Sequence, residues 1–109
     1  MGTIKRFEDI KAWHSARELV NFIYQITTLS AFSKEYGLRD QIRRAAGSVM
    51  HNIAEGFDSG SDAEFVRFLG YARRLVSEVQ SQLYTALDQD YLHSNDFQQI
   101  YELAETTKR

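Results

Sequence analysis

Neither cysteine nor proline occurs among the 109 residues of the chain. Without cysteine there is no disulfide framework, no thiolate metal site and no cysteine nucleophile, a composition that fits a reducing compartment. Without proline, the residue that most strongly breaks helices, long uninterrupted helices are allowed along the whole chain. Long apolar runs are missing too. Nothing approaches the roughly 20 residues that span a bilayer, and the opening "MGTIKRFEDIKAW" lacks the apolar stretch of a secretion signal. The expected location is the cytoplasm, with no membrane partner. Strand-period alternation never extends beyond a few residues, and no repeat or low-complexity tract is present.

An excess of positive charge is also lacking. The formal net charge is −2, whereas dedicated nucleic-acid binders are usually basic because phosphate counterion release supplies most of their affinity. Local basic patches survive this argument; a strongly basic protein does not. The residues of catalysis are scattered. No serine has an evident base, no glycine-rich phosphate loop precedes a helix, and His51 with Glu55, four residues apart, reads as a surface helix pair. Bundle metal sites need Glu-x-x-His pairs on facing helices, but His14, His51 and His93 fall on three segments and none follows a glutamate at that spacing. His14 and His93 read as solvated. The expectation is no enzyme, no cofactor and no metal.

What is present is apolar periodicity. Apolar residues make up 43% of the chain and aromatics 13%, enough for one core in a single domain over residues 1–109. A first helix is predicted over residues 8–28, with Ala12, Ala16, Leu19, Ile23 and Ile26 on one face and Trp13 and Val20 widening it. "TTLSAFSKEYG" breaks the pattern, with Ser30 and Ser33 as candidate caps. A second helix starts near residue 34 or 38 and runs to 57, its stripe being Leu38, Ile42, Ala45, Val49, Asn52 and Ile53. "GFDSGS" ends it, Gly56 and Gly60 supplying the positive φ of a helix stop. Ser61 and Glu64 form a capping box for a third helix reaching residue 88. There Phe65, Leu69, Ala72, Val76, Val79, Leu83 and Ala86 recur every 3.5 residues on average, the seam of a bundle or coiled coil. Ser94 caps a fourth helix with Phe97, Ile100, Tyr101 and Ala104 on one side. The fold class is all-α, an up-and-down four-helix bundle.

"RRAAGSVMHNIAEG" is polar for a helix with a face to bury. At about 100° per residue, Gln41, Arg44, Ser48, Asn52 and Glu55 form a ridge flanking the second helix's stripe, with Asn52 inside the seam. A buried amide without partners costs roughly 1–3 kcal/mol, and one such residue commonly fixes bundle register or oligomer state. The ridge is therefore expected to be a polar network holding helices, and neighbouring chains, in register, with Arg44 paired to a carboxylate. Ala46, Met50, Ile53 and Phe57 on the opposite flank make the apolar face wider than one partner helix covers, which points to a second copy of the chain. Candidate nucleic-acid contacts are Arg39 and Arg43 on the second helix, near Lys34, and Arg67, Arg73 and Arg74 on the third, where Glu78 stands one turn from Arg74. Their plain reading is a solvated face.

"GLRDQIRRAAGSVMHNIAEG" followed by "SDAEFVRFLGYARRLVSEV" resembles the four-helix-bundle family encoded in intervening sequences of bacterial 23S ribosomal RNA genes. More distantly, it is similar to the accessory proteins of diversity-generating retroelements. The residues that carry the resemblance are Gln41, Arg44, Ala45, Ser48, Val49, Asn52, Ile53, Ala54, Glu55 and Gly56, then Glu64, Phe65, Phe68, Leu69, Ala72 and Glu78. Met50 stands where the family often has proline, and Arg74-Leu75 where it usually has Gly-Ser. The resemblance implies a ring-shaped homopentamer with no enzymatic activity in the bundle. The retroelement relatives are strongly basic, bind nucleic acid and partner a reverse transcriptase. The expected function is thus a non-enzymatic oligomeric scaffold or interaction module. The alternative is a nucleic-acid-binding accessory protein, with nucleic acid or a nucleic-acid enzyme as partner.

Overall fold

The computed structural model describes residues 4–108. A single 3₁₀ turn, Phe7–Asp9, precedes five helices: α1 (Lys11–Thr27), α2 (Ser30–Ser33), α3 (Tyr36–Asp58), α4 (Asp62–Asp88) and α5 (Ser94–Lys108). Among the described residues there is no strand, and the four long helices carry the four predicted apolar stripes.

The boundaries differ from expectation for local chemical reasons. The first helix begins at Lys11 rather than residue 8 because the Asp9 carboxylate accepts hydrogen bonds from the backbone N–H groups of Lys5 and Arg6, at 3.0 and 3.3 Å. Such side-chain acceptors compete with the helix ladder, and Ile10 is extended (φ −89°, ψ 121°). At the other end of α1, the Thr27 and Thr28 hydroxyls donate to the carbonyls of Ile23 and Gln25, both at 2.7 Å. The chain then makes the short α2, which plants Phe32 in the core with no exposed surface. Neither serine precedes a helix there. Leu29 occupies the cap position of α2, Glu35 that of α3, and the Ser30 side chain lies outside the described residues.

Between α3 and α4, Gly60 adopts the predicted positive φ (82°). Gly56 does not stop the helix; it is buried within α3. A Cβ there would stand 2.5 Å from the Cβ of Phe68 and 3.3 Å from Cδ1 of Phe65, so glycine is required for the close approach of α4. Only half of the capping box forms. The Glu64 backbone N–H donates to Ser61 Oγ at 3.2 Å, while the Glu64 carboxylate turns to Arg67 and the Ser61 N–H is left to Ser59 Oγ at 3.5 Å. Ser94 is the first residue of α5 rather than its cap. The preceding turn has Asp90 at φ 63°, a conformation aspartate tolerates better than most.

The helices pack in the order α1, α3, α4, α5 around a square, α5 closing against α1. Cross-helix contacts fix α3–α4 and α4–α5 as antiparallel pairs. Gly56 lies beside Phe68 while Ser48 and Gln41 face Leu75 and Glu78; the Tyr84 ring meets that of Phe97 at a tilt while Gln80 reaches Glu105. The core is Leu19, Ile23, Phe32, Ile42, Val49, Ile53, Val76, Val79, Leu83 and Ile100, each at most 2% exposed. The flank of α3 expected to await a second chain is covered within this one. Ala46 and Ile53 are buried, and Met50 and Phe57 pack half-buried against the core, because α1 and the 3₁₀ turn both lie on α3. Uncovered apolar surface appears on α4 instead, where Val66 is 68% exposed. No described helix is long and apolar enough to cross a membrane.

Candidate functional site

The α3–α4 hairpin brings residues 27 to 37 positions apart in sequence onto one groove. Gln41, Arg44, Ala45 and Ser48 of α3 face Leu75 and Glu78 of α4 across a shallow cleft of about 180 Å³. The two helices present these residues because each has an apolar seam turned inward, and the ridge one step around the helix then meets its counterpart. Leu75 lines the groove floor.

Within a single chain the predicted polar network does not close. Gln41, Arg44 and Glu55 are exposed, and Ser48 and Asn52 are half-buried. Asn52 Nδ2 donates to the Ser48 carbonyl of its own helix at 2.8 Å; that is the one hydrogen bond among the five ridge residues that the described residues show. Arg44 has no carboxylate partner there, although Glu78 lines the same cleft. The polar interactions that do cross or line α4 involve glutamines that sequence pattern leaves unmarked. Buried Gln80 donates to Glu105 of α5 at 3.1 Å, and buried Gln82 donates to Glu78 at 3.2 Å, leaving Gln82 Oε1 without a partner. Both glutamines flank the α4 seam next to Val79 and Leu83. Their position hinted at burial; their chemistry argued against it.

The five candidate arginines are not brought together. Arg43 Nε donates to Thr27 Oγ1 at 2.8 Å, and its guanidinium lies 4.4 Å from the Tyr24 ring centre, clasping α3 to α1. Arg39 pairs with Asp40, donates to the Ser33 carbonyl at 3.1 Å and lies over Tyr36. Arg67 pairs with Glu64 at 2.6 Å and donates to the Tyr71 hydroxyl. The carboxylate of Glu64 holds the Arg67 guanidinium above its ordinary pKa. Arg74 lies 5.4 Å from the Tyr71 ring centre; it forms no ion pair with Glu78, whose carboxylate accepts from Gln82. Arg73 lines a separate cleft. In hairpin register, Arg39 and Arg67 stand roughly 25 Å apart along the helices.

Residues 8–109 match the family model of the 23S rRNA-intervening sequence protein. The chain belongs to this family. Against curated proteins no match is found. For a 23S rRNA-intervening sequence protein, the groove residues Gln41, Arg44, Ala45, Ser48 and Glu78 are among the positions that carry the sequence resemblance, joined through folding from two separate segments. Among the described residues no group of three or more histidines and carboxylates is placed to hold a metal ion. His14 Nε2 lies 2.6 Å from the Glu8 carbonyl, a contact tying α1 to the 3₁₀ turn. The groove's chemistry is that of an interface: amide, hydroxyl, guanidinium and carboxylate at the edge of an apolar seam.

Proposed function

We propose that this protein is a non-enzymatic assembly module of the cytoplasm, a bundle that associates with copies of itself and uses no cofactor. A homopentameric ring is the favoured form. The α3–α4 face carries this reading. It combines half-buried Phe68 and Leu75 with ridge side chains, Arg44 and Glu55 among them, that find no partner among the described residues, and the opposite flank of α4 adds the exposed Val66. A second copy would bury that apolar surface and give Arg44 and Glu55 their counterparts. The shape agrees: 6680 Å² of accessible surface exceeds the roughly 6,200 Å² usual for a monomer of this mass.

Size-exclusion chromatography with light scattering tests the reading. The expected mass is five times the 12.6 kDa of one chain; a monomer at micromolar concentration overturns it. Asn52→Leu is expected to keep its helicity, since the lost amide bonds only within α3, and to change the oligomeric mass. Unchanged mass and stability would remove Asn52 from the assembly.

The alternative, nucleic-acid binding through Arg39, Arg43, Arg67, Arg73 and Arg74, fits the geometry less well, because three of the five are engaged by intramolecular hydrogen bonds and no continuous basic stripe results. Fluorescence anisotropy with RNA or DNA at low salt is expected to show no binding. Salt-dependent affinity lost on replacing these arginines would favour the alternative.

A further inference from the structure

We propose that two unlike faces of the bundle meet when copies assemble: the α3–α4 ridge of one copy, around Gly37, Gln41 and Arg44, receives Tyr84 and Glu105 from the α4–α5 face of the next. The inference rests on the self-assembly reading and names the surfaces that carry it. Charge is segregated along the chain. Between Arg74 and Lys108 there are six carboxylates and neither lysine nor arginine, whereas six arginines lie between Lys34 and Leu75.

Folding turns this division into two complementary surfaces. The α4–α5 face presents Tyr84, 49% exposed, its ring centre 4.9 Å from that of Phe97 and 5.8 Å from that of Tyr101. Exposed Asp88 stands one turn beyond Tyr84, and half-buried Glu105 one turn beyond Tyr101. The α3–α4 ridge presents the exposed Arg44 with no carboxylate partner among the described residues. Tyrosine and arginine are the side chains that dominate interface energies, and a tyrosine already held among other rings loses little freedom on docking. Glu105 accepts from Gln80 and approaches Lys108 at 3.9 Å, which leaves acceptor sites free on a carboxylate that has about four.

The register agrees. Copies standing upright side by side in a ring make contact between residues at one height. Counted antiparallel from the Gly56–Phe68 contact, Arg44 is level with Gln80, and Gln80 bonds Glu105. The same count sets Tyr84 within a residue of Gln41. Gly37, one turn away on the ridge, is exposed, and nothing stands within 4 Å of a Cβ built there. Glycine inside a helix is less stable than alanine, and no packing within the chain requires this one; its bare backbone leaves room for a ring from outside. The two faces share α4 and adjoin around the square. Unlike faces on opposite sides would propagate as a filament, whereas adjoining faces turn the succession of contacts back into a ring of about four or five copies.

Light scattering over a dilution series of the full chain tests it. Arg44→Ala and Glu105→Gln are each expected to weaken association about tenfold, and together no more than either alone. Tyr84→Ala should weaken it about thirtyfold. Gly37→Leu should block it with helicity unchanged, since leucine favours the helix. Mixing Gly37→Leu with Tyr84→Ala should give pairs and no ring, because each variant keeps one sound face. Additive losses in the Arg44–Glu105 pair, or the wild-type mass for both Gly37→Leu and Tyr84→Ala, would overturn this pairing and leave self-assembly standing. A wild type that stays monomeric would overturn both.

Discussion

Gly56 and Arg43 show how much one residue can hold. The contact that forbids a Cβ at Gly56 is with the Cβ and ring of Phe68, fixed to the α4 backbone rather than to the far end of a flexible chain. Gly56→Ala is therefore expected to cost about 1–3 kcal/mol, the usual penalty of overpacking, even though alanine favours helices; a melting curve followed by circular dichroism checks it. Arg43→Ala removes the bond to Thr27 and the stacking on Tyr24, for a loss of about 1–2 kcal/mol, and Arg43→Lys is expected to restore little because an ammonium lacks the planar fork. At this scale the sequence was only partly legible. Gly56 read as a helix stop, when its cause was a neighbour 12 residues away, and Arg43 read as a surface charge because its partner Thr27 belongs to another helix. The ridge read as an interior network, but burial depends on what lies opposite, and a single chain leaves Gln41, Arg44 and Glu55 exposed.

For whole elements, spacing was informative. The 3.5-residue recurrence located the α4 seam, of which Ala72, Val76, Val79, Leu83 and Ala86 are buried while Phe65 and Leu69 are half-buried. What spacing missed was α2: one turn has no period, and Phe32 was the lone sign that "LSAFSK" dips into the core. Ends were governed by hydrogen bonds too local for a pattern to capture. At the start of α4 the Ser61 hydroxyl takes the Glu64 N–H, so Ser61→Ala should cost about 1 kcal/mol; Glu64→Ala should leave the cap bond intact, a contrast visible in amide exchange of the first turn. A second tie joins the α4–α5 turn to the start of α3, where the Tyr91 hydroxyl donates to Glu35 at 3.0 Å. That bond to the carboxylate, with burial and the negative charge adding to it, raises the Tyr91 pKa. A raised folded value means that the tie is fully present below the ordinary phenol range and is lost as pH climbs through the raised value. In a spectroscopic titration the latest-ionising tyrosine signal should shrink in Tyr91→Phe, and stability at neutral pH should fall slightly.

The molecule as a whole is a rod, 45 × 23 × 18 Å, with a radius of gyration of 14.5 Å against roughly 13 Å for a compact chain of this length. Elongation places the exposed side of α4 along much of its length, where assembly would use it. Val66→Asp is therefore expected to lower the oligomeric mass while leaving helicity unchanged; a light-scattering mass equal to the wild type would exclude that side from the contact. The packing order has a further consequence. α1 rests on α3 and α5, both of which follow it in the chain, and α3 finds its most extensive partner in α4. During synthesis at roughly 5–20 residues per second, the oily side of α1 leaves the ribosome several seconds before α5 does, and only α5 closes the square around it. The α3–α4 hairpin can close meanwhile, so α1 is among the last of these helices to be sheltered, and any chaperone acting on the nascent chain would find its binding stretch there.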